Sequence, residues 1–237
     1  PHTVRQSWVK ASSEKIIPIA KELQNGGLLT AVGLAVESLD KNTLESIKRK
    51  NIKFETFSEL TKKFEDEGLP TYTELIRGLP GETIESFKNG LEILLRDSRI
   101  GVIYIYNCSV LPNAPMNDNV YKEQFEIKTV KSPIYLAHSS INDRDIIEYE
   151  EIVTSTSTAS VEDIYSMYLY SWCILCLHNF GILELIAHYC YKQLNMPYME
   201  FYRRFLEYCI NSSGFFNNEY IRVINYIKNG YGGNGWD

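Results

Sequence analysis

The sequence has no apolar run approaching the roughly 18 residues that a membrane-spanning helix needs, so no membrane partner is expected. It has no basic excess. Its 24 Lys and Arg stand against 30 Asp and Glu, for a net charge of −6 and a pI of about 5.4. That balance argues against broad binding to nucleic acid or to anionic membranes. Cysteine is scarce: Cys108, Cys173, Cys176, Cys190 and Cys209, an odd number in 237 residues. A disulfide scaffold is therefore not expected, and a reducing cytoplasm is the simpler compartment. The first residue is Pro1, and no charged-then-apolar leader follows it. Because Pro1 to Lys10 already reads like the interior of a fold, the expectation is a piece of a longer polypeptide. No solenoid repeat occurs.

What is present is an ordinary globular composition, 44% hydrophobic and 23% charged, with 17 Tyr concentrated late in the chain. The first hundred residues alternate strand and helix. Val4 to Val9 reads as a strand. A helix after Ser12 or Ser13 carries Ile16, Ile17, Ala20 and Leu23 and stops at Gly26-Gly27. Leu29 to Val36 reads as a buried strand. Asp40 or Asn42 caps the next helix, with Leu44 and Ile47 inward, and Glu55 to Glu67 follows with Phe57, Leu60 and Phe64 in register. Then Thr71 to Ile76 is strand, Gly78 to Gly81 turn, Ile84 to Leu95 helix, and Ile100 to Tyr106 strand. This order predicts parallel strands with crossover helices. Asn107 to Ser132 reads as an irregular loop and Asp143 to Ile152 as helix. Ser160 caps a run of helices over residues 161–228, and Gly230 to Gly235 reads as a flexible tail. The boundary falls near residue 140, giving residues 1–140 as the α/β part and 141–237 as a helical extension.

Ligands of parallel α/β folds bind at the C-terminal ends of the strands. That rule selects Lys10, Glu37-Ser38, Gly78 to Glu82, and Asn107-Cys108. Glu37-Ser38 can hydrogen-bond a sugar diol or serve as a helix-capping pair. The Gly78-Leu79-Pro80-Gly81 turn allows close backbone approach to a ligand, or is a tight strand-to-helix turn capped at Thr83; it is not a P-loop, since no Gly-Lys-Ser/Thr follows. Tyr72, Glu74 and Ile76 share one strand face. Glu74 there needs a wet cavity or a partner such as Lys10 or Arg77. Cys173-x-x-Cys176-x-His178 lies in an apolar helical stretch, so both thiols are expected as buried core and not as metal ligands. His178, His188 and the stripe Tyr198, Phe201, Tyr202, Phe205 are read as packing residues.

Three stretches resemble the radical S-adenosylmethionine superfamily, and more closely its members linked to a cobalamin-binding domain. They are Gly33-Leu-Ala-Val-Glu-Ser-Leu-Asp40 with the run to Ile52, Pro70-Thr-Tyr-Thr-Glu-Leu-Ile-Arg-Gly-Leu-Pro-Gly-Glu-Thr83, and Ile105-Tyr-Asn-Cys-Ser-Val-Leu-Pro-Asn113 with Met116-Asn117-Asp118. The likeness is good over about residues 1–120, and Leu177 to Ile182 resembles the subgroup's C-terminal extension more loosely. It implies strands three to six of a partial (βα)6 TIM-like barrel followed by an all-helical C-terminal domain. It implies S-adenosylmethionine and a 4Fe-4S cluster as cofactors, with cobalamin on a domain outside this chain. The reaction would be oxidoreduction through a 5′-deoxyadenosyl radical, or methyl transfer. Glu37 and Ser38 would meet the ribose, and Gly78, Leu79, Pro80 and Gly81 would border the adenine. Lys10, Tyr72, Glu74 and Asn107 would line the space for a small-molecule or peptide substrate.

The sequence departs from the family in lacking its Cys-x3-Cys-x2-Cys cluster ligands, the first two strands and the glycine-rich segment after the second. Glu74 also stands where the fifth-strand pattern has glycine. The partner expected from this is the missing N-terminal part of the same polypeptide, and the isolated chain is expected to be inactive. Two alternatives are a non-catalytic scaffold that keeps the barrel half, and a cluster-free barrel enzyme using Glu37 and Glu74 as acid and base.

Overall fold

The computed structural model describes residues 13–134 and 148–236. The strand expected at Val4 to Val9 and the candidate Lys10 lie outside the described residues. Three parallel strands form one sheet in the order β1 (Val32–Gly33), β2 (Thr71–Arg77), β3 (Val102–Asn107). Val32 pairs with Thr71, and β2 and β3 run in register from Tyr72↔Val102 to Arg77↔Asn107. Parallel neighbours need crossovers. Helices α2 (Lys41–Ser46) and α3 (Phe54–Asp66) supply the first, and α4 (Ile84–Asp97) the second. An earlier helix, α1 (Ile17–Asn25), leads into the sheet. Asp40 caps α2 by accepting from the Thr43 amide at 2.8 Å. Thr83 and Ser86 form a reciprocal capping box on α4.

The helices cover one face of the sheet. Thr71, Thr73, Leu75 and Arg77 of β2 are buried, and Leu75, Ile103 and Ile105 share a core with Phe57, Phe64, Leu91 and Leu94. Tyr72, Glu74 and Ile76 point to the other face, which the period of two requires. The strand expected over Leu29 to Val36 shrinks to Val32–Gly33. Its start is still leaving α1, since the Leu28 and Leu29 amides bond back to the Leu23 carbonyl. Its end turns at Glu37, whose φ of 59° breaks the extended run.

The middle of the chain differs most from expectation. The supposed loop after Asn107 holds a 3-10 turn (Pro115–Asn117), α5 (Asn119–Gln124) and β4 (Lys128–Pro133). The described end of the helix expected at Asp143 to Ile152 is strand: β5 (Tyr149–Ser155) pairs antiparallel with β4. Pairing across a gap decides here, because the β-branched run Ile152-Val153-Thr154 satisfies its backbone on β4 and on the segment after β3. Val110 donates to the Glu151 carbonyl at 2.7 Å, and Val153 to that of Cys108 at 2.9 Å. The extension is therefore not all-helical. The boundary drawn near residue 140 lies outside the described residues.

Beyond Ser160, α6 (Val161–Trp172), a π-helical stretch (Cys173–His178), α7 (Glu184–Leu194), α8 (Tyr198–Asn211) and α9 (Phe215–Tyr231) follow. Ile164, Met167, Ile174, Tyr202 and Ile227 are buried in the same apolar cluster as the sheet residues. The glycine-rich tail is packed, not loose. Trp236 stacks on Tyr168 with ring centroids 5.6 Å apart and meets Tyr231 at 5.3 Å. Gly230 is needed beneath it, since a Cβ there would stand 2.3 Å from the indole. Among the described residues no helix is long and apolar enough to cross a membrane.

Candidate functional site

A cleft of about 510 Å³ opens at the C-terminal ends of the three strands. Ile47, Ile76, Leu79 and Met116 give it an apolar floor, with Glu37 and Arg49 among its polar lining. Glu37 is fixed by its backbone: its amide donates to the Glu74 carbonyl at 2.8 Å and its carbonyl accepts from Ile76 at 2.9 Å. A left-handed φ on a residue with a long side chain is strained, and these two bonds hold it. The carboxylate, 22% exposed, meets the Arg49 guanidinium at 2.6 Å. Arg49 is held in turn by the Ala35 carbonyl and the Asn51 side chain, and Asn51 donates to the carbonyls of Val36 and Ser38, each at 2.8 Å.

The structure separates the pair Glu37-Ser38. Ser38 is 2% exposed and donates its hydroxyl to Glu82 Oε1 at 2.9 Å, while accepting from the Asp40 amide at 3.2 Å. Burial pushes the Glu82 carboxyl up to about 8, against the downward pull of the Ser38 hydroxyl and the Gly78 amide. Its Oε2 has no hydrogen-bond partner among the described residues.

In the glycine turn, Gly78, Leu79 and Pro80 are buried, and of these Leu79 lines the cleft. Gly78 (φ 81°) and Gly81 (φ 87°) adopt backbone that favours glycine. Their missing side chains also make room inside the chain: a Cβ would stand 2.9 Å from Ile164 Cδ1 at Gly78 and 2.6 Å from Ser46 Oγ at Gly81.

Asn107 does not stand open at the end of β3. Its Oδ1 accepts from Arg77 and from the Tyr231 hydroxyl, the latter at 2.9 Å. Arg77, 4% exposed, stacks its guanidinium 3.9 Å from the Tyr168 ring centroid. It therefore does not pair with Glu74. Residues three apart on a strand face opposite ways, a signal the sequence already held. Glu74 shares the uncovered face with Tyr72, Tyr104 and Tyr106.

Cys173 is fully buried, and burial raises its thiol well above the usual range. Cys176 is only half-buried, which corrects the expectation for it; it lines a groove with Trp172 and Tyr168. His178 Nδ1 bonds the Tyr202 hydroxyl at 2.8 Å, and His188 Nδ1 that of Tyr198 at 3.0 Å, both packing roles as expected. Among the described residues no three metal-ligating side chains cluster. Sequence reasoning missed Arg49, Asn51 and the buried role of Glu82. Arg49 and Asn51 sit in a basic run that reads as solvated surface, and no local signal marks Glu82 as buried.

No family model matches the chain. Two curated relatives are each 30% identical over 208 residues: the cobalamin-dependent radical SAM methyltransferase TokK of Streptomyces tokunonensis, and the 2-(S-pantetheinyl)-carbapenam-3-carboxylate methyltransferase of Streptantibioticus cattleyicolor. Each match covers 88% of this chain but 30% of the relative, so the chain spans under a third of their length. Among solved structures, the radical S-adenosylmethionine methyltransferase TsrM of Kitasatospora setae is 11% identical, with a TM-score of 0.44 over 88% of this chain and 43% of its own. Elp3 of Methanocaldococcus infernus is 30% identical, with a TM-score of 0.36 over 43% of this chain and 23% of its own. The first of these sequence relatives decides the assignment: the chain belongs to the radical S-adenosylmethionine superfamily, in its cobalamin-linked subgroup.

Proposed function

We propose that the cleft holds the nucleoside part of S-adenosylmethionine, and that the chain is one part of a radical S-adenosylmethionine methyltransferase acting on a small-molecule or peptide substrate. The observation that carries this reading is Glu37: a strained, backbone-locked carboxylate at the edge of an apolar-floored cleft at the strand ends. A carboxylate has about four lone-pair sites. Arg49 uses one side and leaves acceptors for a ribose diol. Ile47, Ile76, Leu79 and Met116 would keep water from a purine face. Ser38, turned inward onto Glu82, would act by fixing the backbone behind Glu37.

The described residues fit a nucleoside but not a 4Fe-4S cluster. Cys108 is buried with its thiol pushed up to about 12, and no Cys-x3-Cys-x2-Cys occurs in the sequence. We therefore assign the cluster and cobalamin to the preceding part of the polypeptide, place the whole in the cytoplasm, and expect this chain alone to be inactive. When bound, S-adenosylmethionine supplies a methyl group or, on accepting an electron, a 5′-deoxyadenosyl radical.

The test is calorimetric titration of S-adenosylhomocysteine into the chain and into its Glu37→Ala variant. Losing a hydrogen bond to a charged group is worth about 1.5–3 kcal/mol, so affinity should fall by roughly 10- to 100-fold. Unchanged affinity in the variant, or no binding to the wild-type chain, overturns the reading.

A further inference from the structure

The uncovered face of the sheet carries one carboxylate among tyrosine rings. Glu74 of β2 stands directly opposite Tyr104 of β3, with Tyr106 the next residue up on the same face and Tyr72 the next down on its own strand. Tyr72 meets Tyr104 edge-on at a centroid distance of 5.5 Å, and Tyr104 and Tyr106 stack at 6.5 Å. Gly33 of β1 makes room for the Tyr72 ring, because a Cβ there would stand 2.8 Å from its hydroxyl. Tyr104 and Tyr106 are 42% and 50% exposed, and no side-chain hydrogen bond or ion pair of Glu74 occurs among the described residues.

A partly buried carboxylate is costly unless a cation compensates it, and no described residue supplies one to Glu74. Aromatic faces add attraction for an organic cation within about 6 Å of a ring. The proximity is also electrostatic: the Glu74 charge, after burial itself, helps push the Tyr72 and Tyr106 hydroxyls above their ordinary range. Ile76, two residues on from Glu74, lines the nucleoside cleft, so the carboxylate lies about 7 Å below it along the strand.

We infer that this face binds a cationic group of the substrate, an alkylammonium, with Glu74 supplying the countercharge and Tyr72, Tyr104 and Tyr106 the walls. The inference rests on the neighbouring cleft being the nucleoside site, which makes the group opposite it the substrate's.

The experiment titrates the chain with choline and with its uncharged isostere 3,3-dimethylbutan-1-ol, read by tyrosine fluorescence. Choline should bind about fivefold tighter or better. Glu74→Gln should cut the preference for choline to the smaller part that the rings supply, Tyr104→Leu should weaken choline, and Tyr104→Phe should restore it. Circular dichroism checks that each variant folds. Equal binding of the two probes to the wild-type chain, or a charge preference undiminished by Glu74→Gln, overturns the inference. S-adenosylmethionine displacing choline far better than S-adenosylhomocysteine does would give the box to the donor's sulfonium and overturn the substrate assignment. S-adenosylhomocysteine titrated into the same wild-type sample reads the cleft by itself, so failure of the nucleoside site and failure of the cation site appear in different titrations.

Discussion

Glu82 ties the stability of this fold to pH through a single proton. Its carboxyl is raised from 4.5 to about 8 by burial, so the folded chain keeps a proton that the unfolded chain releases. The stabilisation is complete below pH 4.5, declines as pH rises toward 8, and changes no further above that. Across the window the loss is on the order of 5 kcal/mol. Glu82→Gln, uncharged at every pH, should flatten this decline in urea midpoints measured from pH 5 to 8; parallel wild-type and variant curves would show that Glu82 is not the source. His178 acts in the opposite sense. Burial lowers its pKa below 6.5, so its contribution is lost as pH falls through that value, and the Gln variant should keep this acid-side loss. Of these residue-level facts, the sequence showed that Glu82 precedes a helix cap at Thr83, and acids there are common. It did not show that Ser38, 44 residues earlier, closes over the carboxyl. Only the parallel sheet brings those two strand ends together.

The π-helical stretch Cys173–His178 rotates its two thiols into different surroundings. Cys173 is 0% exposed, whereas Cys176 is half-buried at the α6–α9 groove. An aromatic disulfide reagent should therefore modify Cys176 in the native protein and reach Cys173 only on unfolding. Equal rates at both sites would contradict this arrangement. Cys173→Ser should cost more than Cys173→Ala, by about 1–3 kcal/mol in denaturant titrations, because the hydroxyl is left without a partner. Elements fixed by local chemistry were legible in the sequence. Ser160 and Asp163 start α6 with a capping box, and Phe57, Leu60 and Phe64 mark the buried stripe of α3. β4 and β5 were not legible, because each becomes a strand by pairing with the other across a gap in sequence. The same limit hid the role of Asn107, whose partners are Arg77 and Tyr231. The uncovered face was partly legible, since alternation alone placed Tyr72 with Glu74, and β3 then added Tyr104 and Tyr106.

At the scale of the molecule, one apolar cluster runs from the sheet helices through α6, α8 and α9, so the described parts should unfold together. Trp236→Ala, which removes the ring covering Tyr168 and Gly230, should cost about 3–5 kcal/mol and lower a single thermal transition instead of splitting it. Two resolved transitions would show that the sheet and the helices unfold separately. Anaerobic reconstitution should leave the chain without stoichiometric iron, as read by iron analysis and visible absorbance. A full 4Fe-4S complement on this chain would return the cluster ligands to its own cysteines. The Arg77 stack has a further consequence, for synthesis. The guanidinium sits on Tyr168 and contacts the Tyr231 hydroxyl, 154 residues downstream, and makes no ion pair among the described residues. Until Tyr168 and Tyr231 have left the ribosome, that cation has only the Ile105 carbonyl and the Asn107 side chain of β3 to bond and lacks its ring cover, so β2 and β3 cannot reach their final packing early. Contacts this distant in sequence slow folding and keep apolar surface open meanwhile. The nascent sheet should accordingly depend on chaperones until its last helix emerges.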